Sequence, residues 1–128
     1  MDKFSEVRLS VGTPPFIIEA IALHYGNDWS VSIGGGERFH IGACAVAFVQ
    51  PSLKDPNKLT GTVSVITVPG HKEDDLARSA ALKLAKILQT TVVVTVGIHL
   101  NRASQGDIQK MVSLFEGLIV DLIDVMTA

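Results

Sequence analysis

Polar and apolar positions alternate over Glu6–Val11, with Val7, Leu9 and Val11 on one side and Glu6, Arg8 and Ser10 on the other. That period of two predicts a half-buried strand. Gly12-Thr13-Pro14-Pro15 then signals a turn. The isoleucine-rich run Phe16–His24 is framed by this turn and by Gly26-Asn27-Asp28, so it reads as the second strand of a hairpin. Trp29, Val31 and Ile33 alternate with Ser30 and Ser32 and give a third strand, which ends in Gly34-Gly35-Gly36. Ile41–Gln50 alternates small and large apolar residues with no polar face, the pattern of a strand buried on both sides, although periodicity alone leaves a short helix open. Pro51–Thr60 is polar, holds two prolines and reads as a surface loop. Thr62–Val68 is β-branched at nearly every position and reads as a strand.

The period changes after residue 71. Between Lys72 and Leu88, the residues Leu76, Ala80, Leu84, Ile87 and Leu88 share one helical face. Glu73, Asp74 and Asp75 lie in its first turn, where acidic groups complement the helix dipole, and Lys83 and Lys86 lie towards its other end. A strand over Thr91–Ile98 follows. Ser104 is a good N-cap for a last helix over Gln105–Met126, with Asp107 in the capping-box position. Apolar residues cover more than one face of that helix, among them Ile108, Phe115, Ile119 and Val125. Such a helix is buried on more than one side, and in a short chain a second copy supplies the other wall, so a homodimer is expected. The order of five strands, helix, strand, helix predicts an α+β fold with a mainly antiparallel sheet and the helices packed on one face.

A length of 128 residues favours a single domain spanning residues 1–128. Apolar residues are 47% and charged residues 19% of the chain, an ordinary globular composition. The net charge of -2 and the dispersed aromatic residues give no electrostatic or stacking case for nucleic acid. The lone Cys44 excludes an internal disulfide and a thiol-rich metal site, which fits a reducing cytosol, and within a strand it reads as a small core residue. No basic stretch followed by an apolar core opens the chain, and no apolar run reaches membrane-spanning length, so a cytoplasmic protein is expected.

Candidate chemistry gathers at two junctions between a strand and a helix. One is Pro69-Gly70-His71-Lys72-Glu73-Asp74-Asp75 and the other is Val96-Gly97-Ile98-His99-Leu100-Asn101-Arg102-Ala103. Each combines a glycine, a histidine and a base where free backbone N–H groups are expected. Joined by Gly34–His40, they are expected to line one pocket. The glycine run fails as a dinucleotide fingerprint, because Phe39 stands at the third glycine position and a strand follows. Gly35 and Gly36 suit either a flexible turn or the close approach of a flat ligand. Lys72, at a helix start, and Asn101 with Arg102, before the last helix, are candidate anion contacts. Arg38 and Arg102 could each grip a phosphate with two hydrogen bonds. His40, His71 and His99 sit at element boundaries, whereas His24 reads as structural. Three histidines could hold zinc, but none has the H-x-x-x-H spacing, so no metal site is assigned. No nucleophile or carboxylate partner stands beside any of them, so no catalytic residue is assigned either.

Gly35-Gly36 followed by Phe39-His40-Ile41-Gly42-Ala43, then Pro69-Gly70-His71-Lys72-Glu73, then Gly97-Ile98-His99, resembles the small third subunit of bacterial gallate and hydroxyarylic-acid decarboxylases, the LpdD-type family that accompanies UbiD-type decarboxylases. The motifs stand in family order and span nearly the whole chain. The resemblance implies a small dimeric protein that is not itself the decarboxylase, with a fold similar to that of proteasome-assembly chaperones. It implies a prenylated-FMN chaperone that binds the reduced cofactor as cargo and hands it to an apo UbiD-type decarboxylase. The glycine loop and the strand Ile41–Val49 would then form the slot for the rings. His40, His71 and His99 would meet the ring edge or the phosphate, with Arg38, Lys72 and Arg102 near the phosphate. Two other readings stay open on the residues alone: an accessory decarboxylase subunit that binds no cofactor, and a small metal-dependent enzyme.

Overall fold

The structure, a computed structural model, describes residues 3–128. Strands β1 (Ser5–Thr13), β2 (Phe16–Tyr25), β3 (Asp28–Gly36), β4 (Ala43–Pro51) and β5 (Leu59–Thr67) precede helix α1 (Asp74–Leu88), strand β6 (Val92–His99) and helix α2 (Gln105–Met126). One sheet takes all six strands in the order β1-β2-β3-β6-β4-β5. Every pairing is antiparallel except that of β3 with β6. The α+β class predicted from the alternation pattern is the class observed, with both helices on one face of the sheet.

Register explains why one face is dry. Val7, Ala22, Val31, Val94, Ala45 and Val65 are paired in a single row across all six strands, and every one is buried or packed on the core. Helix α1 lies over β4, β5 and β6, and α2 lies over β1 and β2. Small residues set the α1 contact. Ala43, Ala45 and Ala47 on the strand meet a helix face built from Ala77, Ala80, Ala81, Leu84 and Ala85, all buried. Side chains this short let backbone approach backbone, and interior packing density requires such a match of volumes.

The expectation that Ile41–Gln50 is buried on both sides is corrected here. The strand begins at Ala43, and its alanines face α1 while Cys44 is half-buried and Val46 and Phe48 are exposed on the other face of the sheet. Among the described residues, no helix covers that face. Its row through Ile21, Ser32, Thr95, Cys44 and Ile66 meets no second layer among the described residues. Cys44 is therefore a half-buried residue of the uncovered face rather than a core residue.

Helix α2 turns Met111, Phe115, Leu118, Ile119, Leu122 and Met126 inward, which leaves Ile108, Val120 and Val125 exposed. Much of its apolar excess is thus absorbed by its own sheet. Ser104 and Asp107 form the expected capping box, with the Asp107 N–H donating to the Ser104 hydroxyl at 3.0 Å and the Ser104 N–H donating to the Asp107 carboxylate at 3.0 Å. Helix α1 starts at Asp74, two residues later than the periodicity predicts, so Lys72 precedes the helix and Glu73 is its N-cap.

Candidate functional site

The parallel pair β3 and β6 brings the carboxyl ends of those strands side by side, with Gly36 opposite His99. Ala43 at the start of β4 is paired with both Val96 and Thr67, so the end of β5 lies at the same edge of the sheet. Three connections therefore meet there: 37–42, 68–73 and 100–104. The Gly42 N–H donates to the Val96 carbonyl at 2.9 Å, and the Val68 N–H donates to the Gly42 carbonyl at 2.8 Å, tying the first two connections to β6. The N-termini of both helices lie at this edge as well.

Two polar clusters follow. In the first, His40 Nε2 lies 3.1 Å from Glu73 Oε1 and 3.2 Å from His71 Nδ1, and His71 Nδ1 lies 4.0 Å from Glu73 Oε2. Glu73, 8% exposed, is the one buried charged residue among those described. A buried carboxylate is costly unless hydrogen-bonded, and this one accepts from the Lys72 N–H at 3.1 Å and from the Ile98 N–H at 3.4 Å. It stands at the N-cap of α1 yet makes no capping bond, because its side chain is turned inward to the histidines. Two glycines make the room. A Cβ on Gly42 would overlap the Glu73 carboxylate, and a Cβ on Gly97 would overlap the His40 backbone.

The second cluster is more exposed. The Asn101 N–H and side-chain amide donate to the two oxygens of Glu37, at 2.8 and 3.2 Å, and His99 Nε2 lies 3.0 Å from Asn101 Oδ1. The Glu37 N–H also donates to the His99 carbonyl at 2.7 Å. Gly36, at φ +76°, makes the turn that allows this, in a backbone region that glycine enters at little cost.

Beside these clusters lies a cleft of about 390 Å³ between the N-terminus of α1, the end of β6 and the start of α2. Leu76, Ile98, Leu100, Ala103, Ile108, Met111 and Val112 make apolar walls, and Lys72, Glu73 and His99 add the polar groups. Its size and its apolar lining with a few convergent polar groups are those of a small-molecule site. A second cleft, of about 270 Å³, opens on the uncovered face of the sheet and is lined by Gly34, Phe39, His40 and Ile41 together with residues of β2, β3 and β6.

The nine residues singled out from the sequence are thus distributed unevenly. Lys72 and His99 line the larger cleft, and His40 lines the smaller one. His40 and His71 share the Glu73 cluster, Asn101 shares the Glu37 cluster, and Arg38 and Arg102 are exposed with no ion pair among the described residues. Gly35 serves packing, since a Cβ there would press on the Ile17 carbonyl and the Ile18 and Ile98 side chains. Over Gly34 the Phe39 ring already fills the space expected for a flat ligand. The roomier cleft lies instead on the helix side of the sheet. Neither helix N-terminus offers a simple anion site: α2 is closed by its capping box, and α1 has the buried Glu73 carboxylate on the Lys72 N–H and Asp74 and Asp75 in its first turn.

Glu73 and Glu37 are the site residues missed from the sequence. Glu73 stood among three acidic residues that the helix dipole already accounted for. The available signal was its position at a helix start where a short Ser, Thr, Asp or Asn is preferred.

The sheet order, with two helices on a single face, defines a two-layer α+β fold. The chain is similar to a structure described as the crystal structure of a novel chaperone complex for yeast 20S proteasome assembly, with a TM-score of 0.63, 15% identity, and coverage of 97% of this chain and 95% of that one. At that identity the likeness concerns the fold alone. No curated protein sequence matches the chain. A family model for the prenylated flavin chaperone LpdD-like domain matches residues 12–127, and the chain belongs to that family.

Proposed function

We propose that this protein binds reduced prenylated FMN as cargo and delivers it to an apo UbiD-type decarboxylase, as a cytoplasmic carrier and not a catalyst. The observation that carries this reading is the apolar cleft edged by Lys72 and His99, in a chain that belongs to a prenylated flavin chaperone family. A prenylated flavin offers a broad apolar ring system and a phosphate. The walls from Leu76, Ile98, Leu100, Met111 and Val112 suit the rings, and the Lys72 ammonium suits the phosphate as a point charge. Because α2 is closed by its capping box and the first turn of α1 is acidic, the phosphate depends on side-chain cations: Lys72 first, with Arg102 and Arg38 within the same group of connections. A carrier must also release its load, and an open cleft with few charged contacts supports transfer better than an enclosed cavity.

A homodimer belongs to the same proposal, by a different surface from the one the sequence suggested. The uncovered sheet face presents Phe39, Ile41, Val46, Phe48 and Ile66, the last two 40% and 75% exposed, on the side of the sheet turned away from the helices. Only Ile108, Val120 and Val125 remain exposed among the large apolar residues of α2. Exposed large apolar residues gathered on one face mark an interaction surface, and an identical face on a second copy is self-complementary.

The delivery step is tested by anaerobic reconstitution of a purified apo-decarboxylase with reduced prenylated FMN. Adding the protein is expected to raise the yield of active enzyme above that from free cofactor, and Lys72→Ala and His99→Ala are each expected to weaken cofactor binding about tenfold, the scale of one lost charged hydrogen bond. Equal yields with and without the protein would remove the carrier role.

A further inference from the structure

We infer that His40, His71 and Glu73 form a binding site for one divalent first-row transition-metal ion of the zinc class. The three side chains offer ligand atoms that all lie within 4.8 Å of one another. Two of the separations, 3.1 Å from His40 Nε2 to Glu73 Oε1 and 3.2 Å from His40 Nε2 to His71 Nδ1, are close to the edge of a zinc tetrahedron. Bonds of about 2.0–2.1 Å at tetrahedral angles put neighbouring ligand atoms about 3.3 Å apart.

Hydrogen bonding around the cluster points the same way. His40 Nδ1 lies 3.2 Å from the Arg38 carbonyl, which can only accept, so Nδ1 carries the proton in that contact. In neutral His40 the Nε2 lone pair is then aimed at the Glu73 carboxylate, another acceptor. Two acceptors facing each other at 3.1 Å need a proton or a cation between them. A backbone carbonyl holding the far ring nitrogen is the usual outer support of a metal-bound histidine. The Glu73 carboxylate has equivalent support from the Lys72 and Ile98 N–H groups.

The surroundings are built for this group. Gly42 and Gly97 clear the space for the Glu73 carboxylate and the His40 backbone, and the His40 and Glu73 side chains are only 12% and 11% exposed. With neutral histidines the cluster holds one buried negative charge, which a divalent ion offsets. Two imidazoles and one carboxylate favour zinc, cobalt or nickel over magnesium, which prefers oxygen ligands throughout. Three protein ligands leave a fourth position for water or an anionic donor. The bound ion would pin the 37–42 connection to the 68–73 connection.

Metal alone tests this, independently of flavin. Chelator-treated protein is titrated with Co²⁺ and followed by visible absorption, then back-titrated with Zn²⁺. One Co²⁺ per chain is expected, with the intense d–d bands of a four-coordinate nitrogen and oxygen site, displaced by Zn²⁺ and unaffected by excess Mg²⁺. Affinity should fall by about a hundredfold or more in Glu73→Gln and in His71→Ala. The first is isosteric and the second alters a side chain that is 28% exposed, so both variants should keep the wild-type circular dichroism. His24→Ala, which removes a histidine stacked on Trp29 outside the cluster, should bind as wild type. A spectrum that stays that of hydrated Co²⁺, or wild-type affinity in both cluster variants, would overturn the assignment and leave a proton as the bridge.

Discussion

Two glycines at the site edge have no freedom to change, for reasons of space and not of backbone angle. Gly97 lies on β6 directly under the His40 backbone, so the atoms a methyl group would strike are main-chain atoms that cannot rotate away. Gly97→Ala is expected to cost about 2–3 kcal/mol, the upper range for forced overpacking, read as a lowered urea midpoint at unchanged slope. Gly42→Ala strikes a side chain, the Glu73 carboxylate, and is expected to disrupt the cluster more than the fold. At this scale the sequence was only partly legible. His40 and His71 stood out because they lie at element boundaries, and the fold does bring them within 3.2 Å of each other. Glu73 did not stand out, because an acidic first turn has a sufficient local explanation and inward rotation of one carboxylate leaves no periodic trace. Nor could the space above Gly34 be judged without knowing where the Phe39 ring falls.

Elements were the most legible level, since alternation and helical period depend on a buried face that each segment carries with it. The capping box of α2 was readable from Ser104 and Asp107 alone, and Ser104→Ala is expected to cost about 1 kcal/mol in the urea midpoint. Leu84, fully buried where α1 meets the sheet, is a stronger determinant: Leu84→Ala should cost about 2–5 kcal/mol by the same measurement. What the pattern could not decide was which surfaces a second layer covers. Ala43, Ala45 and Ala47 meet α1, whereas Val46 and Phe48 are exposed and meet no second layer among the described residues, yet both sets are apolar in the sequence. The same ambiguity made α2 look short of a partner that its own sheet largely supplies.

For the molecule as a whole, the mainly antiparallel sheet with its single parallel pair sets the layout. Inserting β6 between β3 and β4 gathers three connections and both helix starts at one edge, and leaves the opposite face of the sheet open. If that face joins two copies, Phe48→Lys should convert a dimer to a monomer in sedimentation equilibrium, since a charge on each copy would be buried without a partner. An unchanged mass would move the interface elsewhere. The edge and its cleft carry the central claim. The most direct test is an anaerobic titration of the purified protein with reduced prenylated FMN, with FMN as the control. Saturable binding near one ligand per chain, at least tenfold tighter than for FMN, is the predicted result. No saturable binding of the reduced prenylated cofactor, or equal affinity for FMN, would contradict it.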